Sequence, residues 1–200
     1  MSLLPFYDSK LIEAGCDEAG RGCLAGPVVA AAVILPKNYE NELLNDSKKL
    51  SNKNRFILKE EIEREALAWE VVFIDNNKID EINILNASFL AMNLAAQKLK
   101  VTPELLLIDG NRFKSNGLPF KCFVKGDGRF LSIAAASILA KTYRDLYMEK
   151  LDLEYPFYKW SKNKGYPTKD HCEGILKNGY SKYHRKTFVV KSLYQTKLDF

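Results

Sequence analysis

GCDEAGRGCLAGPVVAAAVIL, residues 15–35, is the stretch that decides the fold. It joins one short apolar run, residues 11–16, to a second, residues 28–35, through the glycine-rich turn GRGCLAGP. Two apolar runs separated by a glycine-rich turn predict two adjacent strands, antiparallel to each other. Pro27 and Pro36 bracket the second strand, and Asp17 follows directly on the first.

Downstream, a polar helix is expected over 52–66 with Ser51 as its N-cap, then a third strand over 69–74. Helical apolar spacing at Ile84, Phe89, Met92 and Leu99 predicts a helix over 83–99. Residues 104–108 read as a buried strand ending in Asp109-Gly110, and 120–124 as another ending before KGDG. The longest helix is expected over 133–153, and a further one over 168–177. Strands alternating with helices indicate an α/β fold built on a mixed sheet. In the first half of the long helix, Ala134, Ala135, Ala136, Ser137 and Ala140 leave so little bulk that its backbone can lie close to that sheet.

Two hundred residues at 46% hydrophobic and 28% charged suit one domain with a sizeable core. No run approaches the roughly 18 apolar residues of a membrane span, and MSLLPFYDSK lacks a basic region followed by an apolar core. The expectation is a cytoplasmic protein with no membrane partner, and a monomer. Cys16, Cys23, Cys122 and Cys172 show no C-x-x-C spacing and read as small apolar residues. The net charge of +5 is uneven: residues 151–200 carry ten Lys/Arg against five Asp/Glu, and the first 150 balance at twenty against twenty. A basic C-terminal extension over about 151–200 suits a partner with a phosphate backbone.

Asp17 and Asp109 both stand at strand ends, where α/β sheets place ligand chemistry. Glu18 would face away from Asp17 in a regular strand, so sharing a site calls for a bend, which Gly20 and Gly22 could supply. Asp145 lies on the long helix, on one face with Lys141, Ile138 and Ala134. Any one of these acids alone would be an ordinary surface group. Three or four that converge would meet the need of two-metal phosphodiester hydrolysis for hard oxygen ligands.

With NDSKKLS, LLIDGN, VKGDG, AAASILAKTYRD and KGYPTKDH following in order, the chain resembles bacterial ribonuclease HII from about residue 11 to residue 188. That resemblance implies a ribonuclease H-like mixed five-stranded sheet flanked by helices, with a small C-terminal helical part. It implies cleavage of the RNA strand of RNA/DNA hybrids and of single ribonucleotides in duplex DNA, leaving 3′-hydroxyl and 5′-phosphate ends, with Mg²⁺ or Mn²⁺. By motif position, Asp17, Glu18, Asp109 and Asp145 become the catalytic, metal-holding acids. Asp127 in KGDG is another acid near the sheet edge, set aside because the family pattern points instead to Asp145. The backbone of Gly20, Arg21 and Gly22 is implied to contact the ribose 2′-hydroxyl, and Tyr166 to stack at the RNA-to-DNA junction. Lys48, Lys125, Lys164, Arg185 and Lys186 are expected as phosphate contacts. His171 and His184 stay outside the catalytic set.

The last six residues, Gln195 to Phe200, resemble short peptides that dock on replication sliding clamps. Two alternatives remain at this point. One is the sister family ribonuclease HIII, against which Gly-Arg-Gly and the short N-terminus argue. The other is a non-catalytic nucleic-acid-binding domain with the same fold.

Overall fold

A computed structural model describes residues 3–44 and 50–189. Lys48 and the tail Gln195 to Phe200 lie outside the described residues.

The 15–35 stretch forms the two expected strands. β1 (Glu13–Ala19) pairs antiparallel with β2 (Val28–Ile34), Asp17 facing Ala31. β1 runs three residues beyond the expected end, so Asp17 and Glu18 belong to the strand and do not follow it. On its other side β1 pairs in parallel with β4 (Leu105–Asp109), Cys16 level with Ile108. β3 (Ala68–Ile74) and β5 (Phe120–Phe123) flank these, giving the order β3-β2-β1-β4-β5. The sheet is mixed and five-stranded, as expected.

Both sheet faces are covered, and β2 shows why its seven residues are all apolar and buried. Ala30, Ala32 and Ile34 pack toward α3 (Ile84–Lys98) with Cys16, Leu106 and Ile108. Ala31 and Val33 pack toward α4 (Leu131–Glu154) and α1 (Asn52–Glu65). The small-residue start of α4 does lie close on the sheet: a Cβ on Gly15 would sit 2.2 Å from the Ser132 carbonyl carbon. Ser51 caps α1, its hydroxyl accepting from Asn54 N at 3.2 Å.

A short helix, α2 (Asn76–Ile82), was not foreseen. Asp75 caps it, and Asn83 at φ 64° breaks it from α3. Beyond α4 come a 3₁₀ turn at Pro156–Tyr158, α5 (Trp160–Asn163) and α6 (Lys169–Asn178), with Thr168 as N-cap. Leu24, Ala25, Met148, Tyr158 and Trp160 form a small second core that holds this C-terminal part to the glycine-rich turn. All four cysteines are free. Among the described residues no helix is long and apolar enough to cross a membrane.

Candidate active site

The parallel register that pairs Cys16 with Ile108 brings Asp17 and Asp109 side by side at the next step along both strands. Cys16 and Ile108 point into the α3-side core, so by alternation Asp17 and Asp109 point to the α4 side. There the Ser137 side chain hydrogen-bonds Asp17. Asp109 Oδ1 accepts from Gly126 N at 2.6 Å, which folds the KGDG turn back under the strand end.

Glu18 reaches the same place without the expected bend. β1 stays regular through Ala19, and the chain turns only at Gly20, φ 92°. β4 stops at Asp109, so no neighbouring strand covers Glu18 on that side. Its carboxylate meets Arg21 Nη1 at 3.0 Å through Oε1, while the buried Oε2 has no hydrogen-bond partner.

Glu18 opens on a cleft of about 380 Å³, lined also by Gly20 to Gly22, Arg55, Asp127, Ser137, Lys141 and Tyr166, with Asp17 behind Ser137. Burial, then the charges of Glu18 and Asp109, push the Asp17 carboxyl well above the usual range. Burial raises Glu18 as well, opposed by Arg21. Carboxylates confined together in this way favour a bound cation.

Asp145 stands beside this group, bonded to two residues of the cleft wall. Its carboxylate pairs with Lys141 Nζ and, at 3.5 Å, with Arg55 Nη1, and it lies in an adjoining recess with Asn52, Phe56, Thr142 and Glu149. Asp127, set aside on its sequence, lines the cleft together with Glu18. Among the described residues, no three His, Cys, Asp or Glu side chains are drawn together as a ready metal site. Each acid meets a nearby donor: Arg21 for Glu18, Gly126 N for Asp109, Lys141 and Arg55 for Asp145. The donor set still fits a hard divalent ion, since Asp17, Glu18 and Asp109 offer carboxylate oxygens and the buried Oε2 of cleft-lining Glu18 has no hydrogen-bond partner.

Tyr166 is on the cleft, 41% exposed, and the nearest atom to a Cβ on Gly22 would be its Cε1 at 3.8 Å. Lys125 is exposed beside the KGDG turn. Two expected phosphate contacts are committed elsewhere. Arg185 is 1% exposed and donates inward, from Nε to Gly26 O at 3.0 Å, from Nη1 to Arg21 O at 2.9 Å and from Nη2 to Gly20 O at 2.8 Å. It therefore holds the glycine-rich turn rather than facing a phosphate. Lys164 Nζ is tied to Glu149 Oε1 at 2.7 Å and to Ser161 O.

Sequence reading missed Ser137, Arg55 and, as a cleft residue, Lys141. Lys141 carried a signal, since a Lys four residues before Asp145 on a helix is placed to pair with it. Arg144 was missed too: it is buried, donating to Pro27 O at 2.9 Å and Lys164 O at 2.8 Å.

The ribonuclease H2 of Pyrococcus horikoshii OT3 has a similar solved structure: TM-score 0.77, 22% identity, covering 93% of this chain and 97% of that one. A second, at TM-score 0.73 and 28% identity over 90% of this chain and 96% of that one, is the ribonuclease HII of Archaeoglobus fulgidus, solved in complex with PCNA. The architecture is thus the ribonuclease H fold, with Asp17 and Glu18 of β1 beside Asp109 at the end of β4. A family model, Ribonuclease HII, matches residues 14–197, and ribonuclease HII of Bacteroides thetaiotaomicron is 62% identical over 99% of this chain and 100% of its own. The chain belongs to the ribonuclease HII family.

Proposed function

We propose that this enzyme cuts the RNA strand of RNA/DNA hybrids and cuts on the 5′ side of single ribonucleotides in duplex DNA, leaving 3′-hydroxyl and 5′-phosphate ends. The observation that carries the reading is one cleft in which Glu18, electrostatically coupled to buried Asp17 and to Asp109, meets the Gly20 to Gly22 backbone and the Tyr166 ring. Family membership supports the activity on hybrids.

Two divalent ions, Mg²⁺ or Mn²⁺, supply when bound the Lewis acidity that activates water and stabilises the leaving oxygen. Asp17, Glu18 and Asp109 hold them, with Asp127 as the fourth carboxylate of the cleft. Asp145 acts one step away, aiming Lys141 and Arg55 into the cleft, where their charges can meet the scissile phosphate. Gly20 to Gly22 let the backbone approach a ribose 2′-hydroxyl, and the half-exposed Tyr166 offers a face to the following deoxynucleotide. Lys125 and Lys48 position the backbone phosphates.

Residues 1–200 work as one catalytic domain with about 151–200 as its C-terminal extension, monomeric and cytoplasmic, in removing ribonucleotides during DNA repair and replication. Gln195 to Phe200 dock on a sliding clamp. The complex formed by the Archaeoglobus relative with PCNA supports this, as a property of that protein.

The test is cleavage of a duplex holding one ribonucleotide, beside a continuous hybrid and an all-DNA duplex, with Mg²⁺ or Mn²⁺ and with EDTA. A cut 5′ of the ribonucleotide, absent from the all-DNA duplex and from EDTA, supports the reading. Equal cutting of all-DNA duplex defeats the specificity, and full activity in EDTA defeats the metal.

A further inference from the structure

The C-terminal part buries two histidines that the chemistry above does not use. His171 on α6 and His184 in the following coil both have 0% exposure, and their Nε2 atoms lie 3.1 Å apart. Their partners assign the hydrogens. His171 Nδ1 is 3.0 Å from the Tyr166 carbonyl oxygen, so it carries the hydrogen and donates. His171 Nε2 is then an acceptor, and Trp160 Nε1 donates to it at 2.9 Å. His184 Nδ1 accepts from Ser181 N at 2.9 Å, which leaves its hydrogen on Nε2, facing His171. Trp160 Nε1–H and His184 Nε2–H share the one lone pair of His171 Nε2, so the hydrogen bonds run from Ser181 N–H through His184 and His171 to the Tyr166 carbonyl, with Trp160 joining at His171. Burial pushes both imidazoles below their ordinary range, so both are neutral near pH 7.

Both ends of this chain touch the cleft walls. At one end is Tyr166, whose hydroxyl hydrogen-bonds Cys23, next to Gly22. Its neighbour Gly165 (φ 84°) is pressed so close to the glycine-rich turn that a Cβ there would lie 2.6 Å from Ala25 O. Gly165 O also accepts from Leu24 N at 2.7 Å. At the other end, His184 forms a β-bridge with Ala25, and Arg185 next to it donates from its backbone N to Leu24 O and from its side chain to Gly20 and Arg21. The segment 184–185 therefore grips the glycine-rich turn and, through His171, the Tyr166 loop.

We propose that His171 and His184 are positioning residues for substrate choice: they fix the Tyr166 backbone against the Gly20 to Gly22 turn, so that ring and backbone address one ribonucleotide, without touching it themselves. The proposal rests on the reading of Tyr166 and Gly20 to Gly22 as the ribonucleotide-recognising walls.

The experiment uses the full chain with Mg²⁺ and measures kcat/KM on a single-ribonucleotide duplex and on a continuous hybrid, with thermal unfolding alongside. His171→Leu removes the donor to Tyr166. It is expected to lose about tenfold or more on the single-ribonucleotide duplex, as small misplacements do, with a much smaller loss on the hybrid. In His171→Asn the side-chain amide stands where Nδ1 stood and can donate to Tyr166 O, so selectivity should return toward wild type. His184→Asn keeps an acceptor for Ser181 N but breaks the link to His171; it should show the same selective loss, and it serves if His171→Leu does not fold. Equal losses on both substrates, tracking the unfolding temperature, would mean packing alone and overturn the proposal. Selective loss in Tyr166→Ala with none in the His171 and His184 variants overturns the proposal and leaves the recognition reading standing. If Tyr166→Ala shows no selective loss, that reading fails and the proposal with it.

Discussion

Asp17, within β1, and Asp109, the last residue of the adjacent parallel β4, stand at one level of the sheet, on the α4 face, one step beyond the pairing of Cys16 with Ile108. The fold itself therefore forces two carboxylates together, and Glu18 adds a third charge that raises Asp17 further. That crowding opposes folding unless a proton or a cation relieves it.

In metal-free protein, burial and then the charges of Glu18 and Asp109 hold the folded Asp17 carboxyl well above its ordinary value. The sign follows: its contribution to stability is fully present below the unfolded value and is lost as pH rises through the folded one. The unfolding midpoint in EDTA is expected to fall across that rise, and less steeply in Asp17→Asn. Mg²⁺ should raise the midpoint more at alkaline than at acid pH. A midpoint of Asp17→Asn that follows wild type at every pH would refute the crowding. The same variant should lose at least about a hundredfold in kcat.

Asp127 and Asp145 are separable by kinetics. Asp127 lines the cleft, whereas Asp145 is spent on Lys141 and Arg55. Asp127→Asn is expected to lower single-turnover cleavage by about tenfold to a hundredfold with substrate binding retained. Asp145→Asn should instead act mainly on KM, because it frees two cations from their positions. The reverse pattern would restore Asp145 to the metal-holding set.

The strands, the long helix and the pair Asp17 and Asp109 were legible because each rests on local pattern: apolar runs, small residues, an acid at a strand end. Asp127 was not, because its place depends on the 3₁₀ turn that folds back onto Asp109 through Gly126 N. No periodicity encodes that contact. α2 escaped because, of its seven mostly polar residues, only Asn76 and Ile79 are buried. Arg185 misled because a buried arginine clamping carbonyls and a solvated one reaching for phosphate look the same in sequence, here within a basic tail.

The buried histidine pair makes a stability prediction independent of activity. Burial and then the neighbouring His171 push the folded His184 imidazole down to about 3, from an ordinary value of 6.5. A lowered folded value contributes stability that is complete above the unfolded value and lost as pH falls toward the folded one. Denaturant midpoints should therefore drop between pH 6.5 and about 3 more steeply for wild type than for His184→Asn. Parallel slopes would show that the pair is not titrating on unfolding.

Salt dependence separates the two kinds of basic residue. An arginine whose guanidinium donates to the carbonyls of Gly20, Arg21 and Gly26 releases no counterion when nucleic acid binds. Arg185→Ala should therefore leave the slope of log affinity against log salt unchanged. It should also cost about 3 kcal/mol of stability or more in chemical denaturation, because carbonyls that accepted charged donors lose them. Lys125→Ala, at an exposed site beside the cleft, should leave stability alone and reduce that slope by about one. A shallower slope in Arg185→Ala, measured on protein verified as folded, would return that residue to the phosphate-binding set and require the glycine-rich turn to open when substrate arrives.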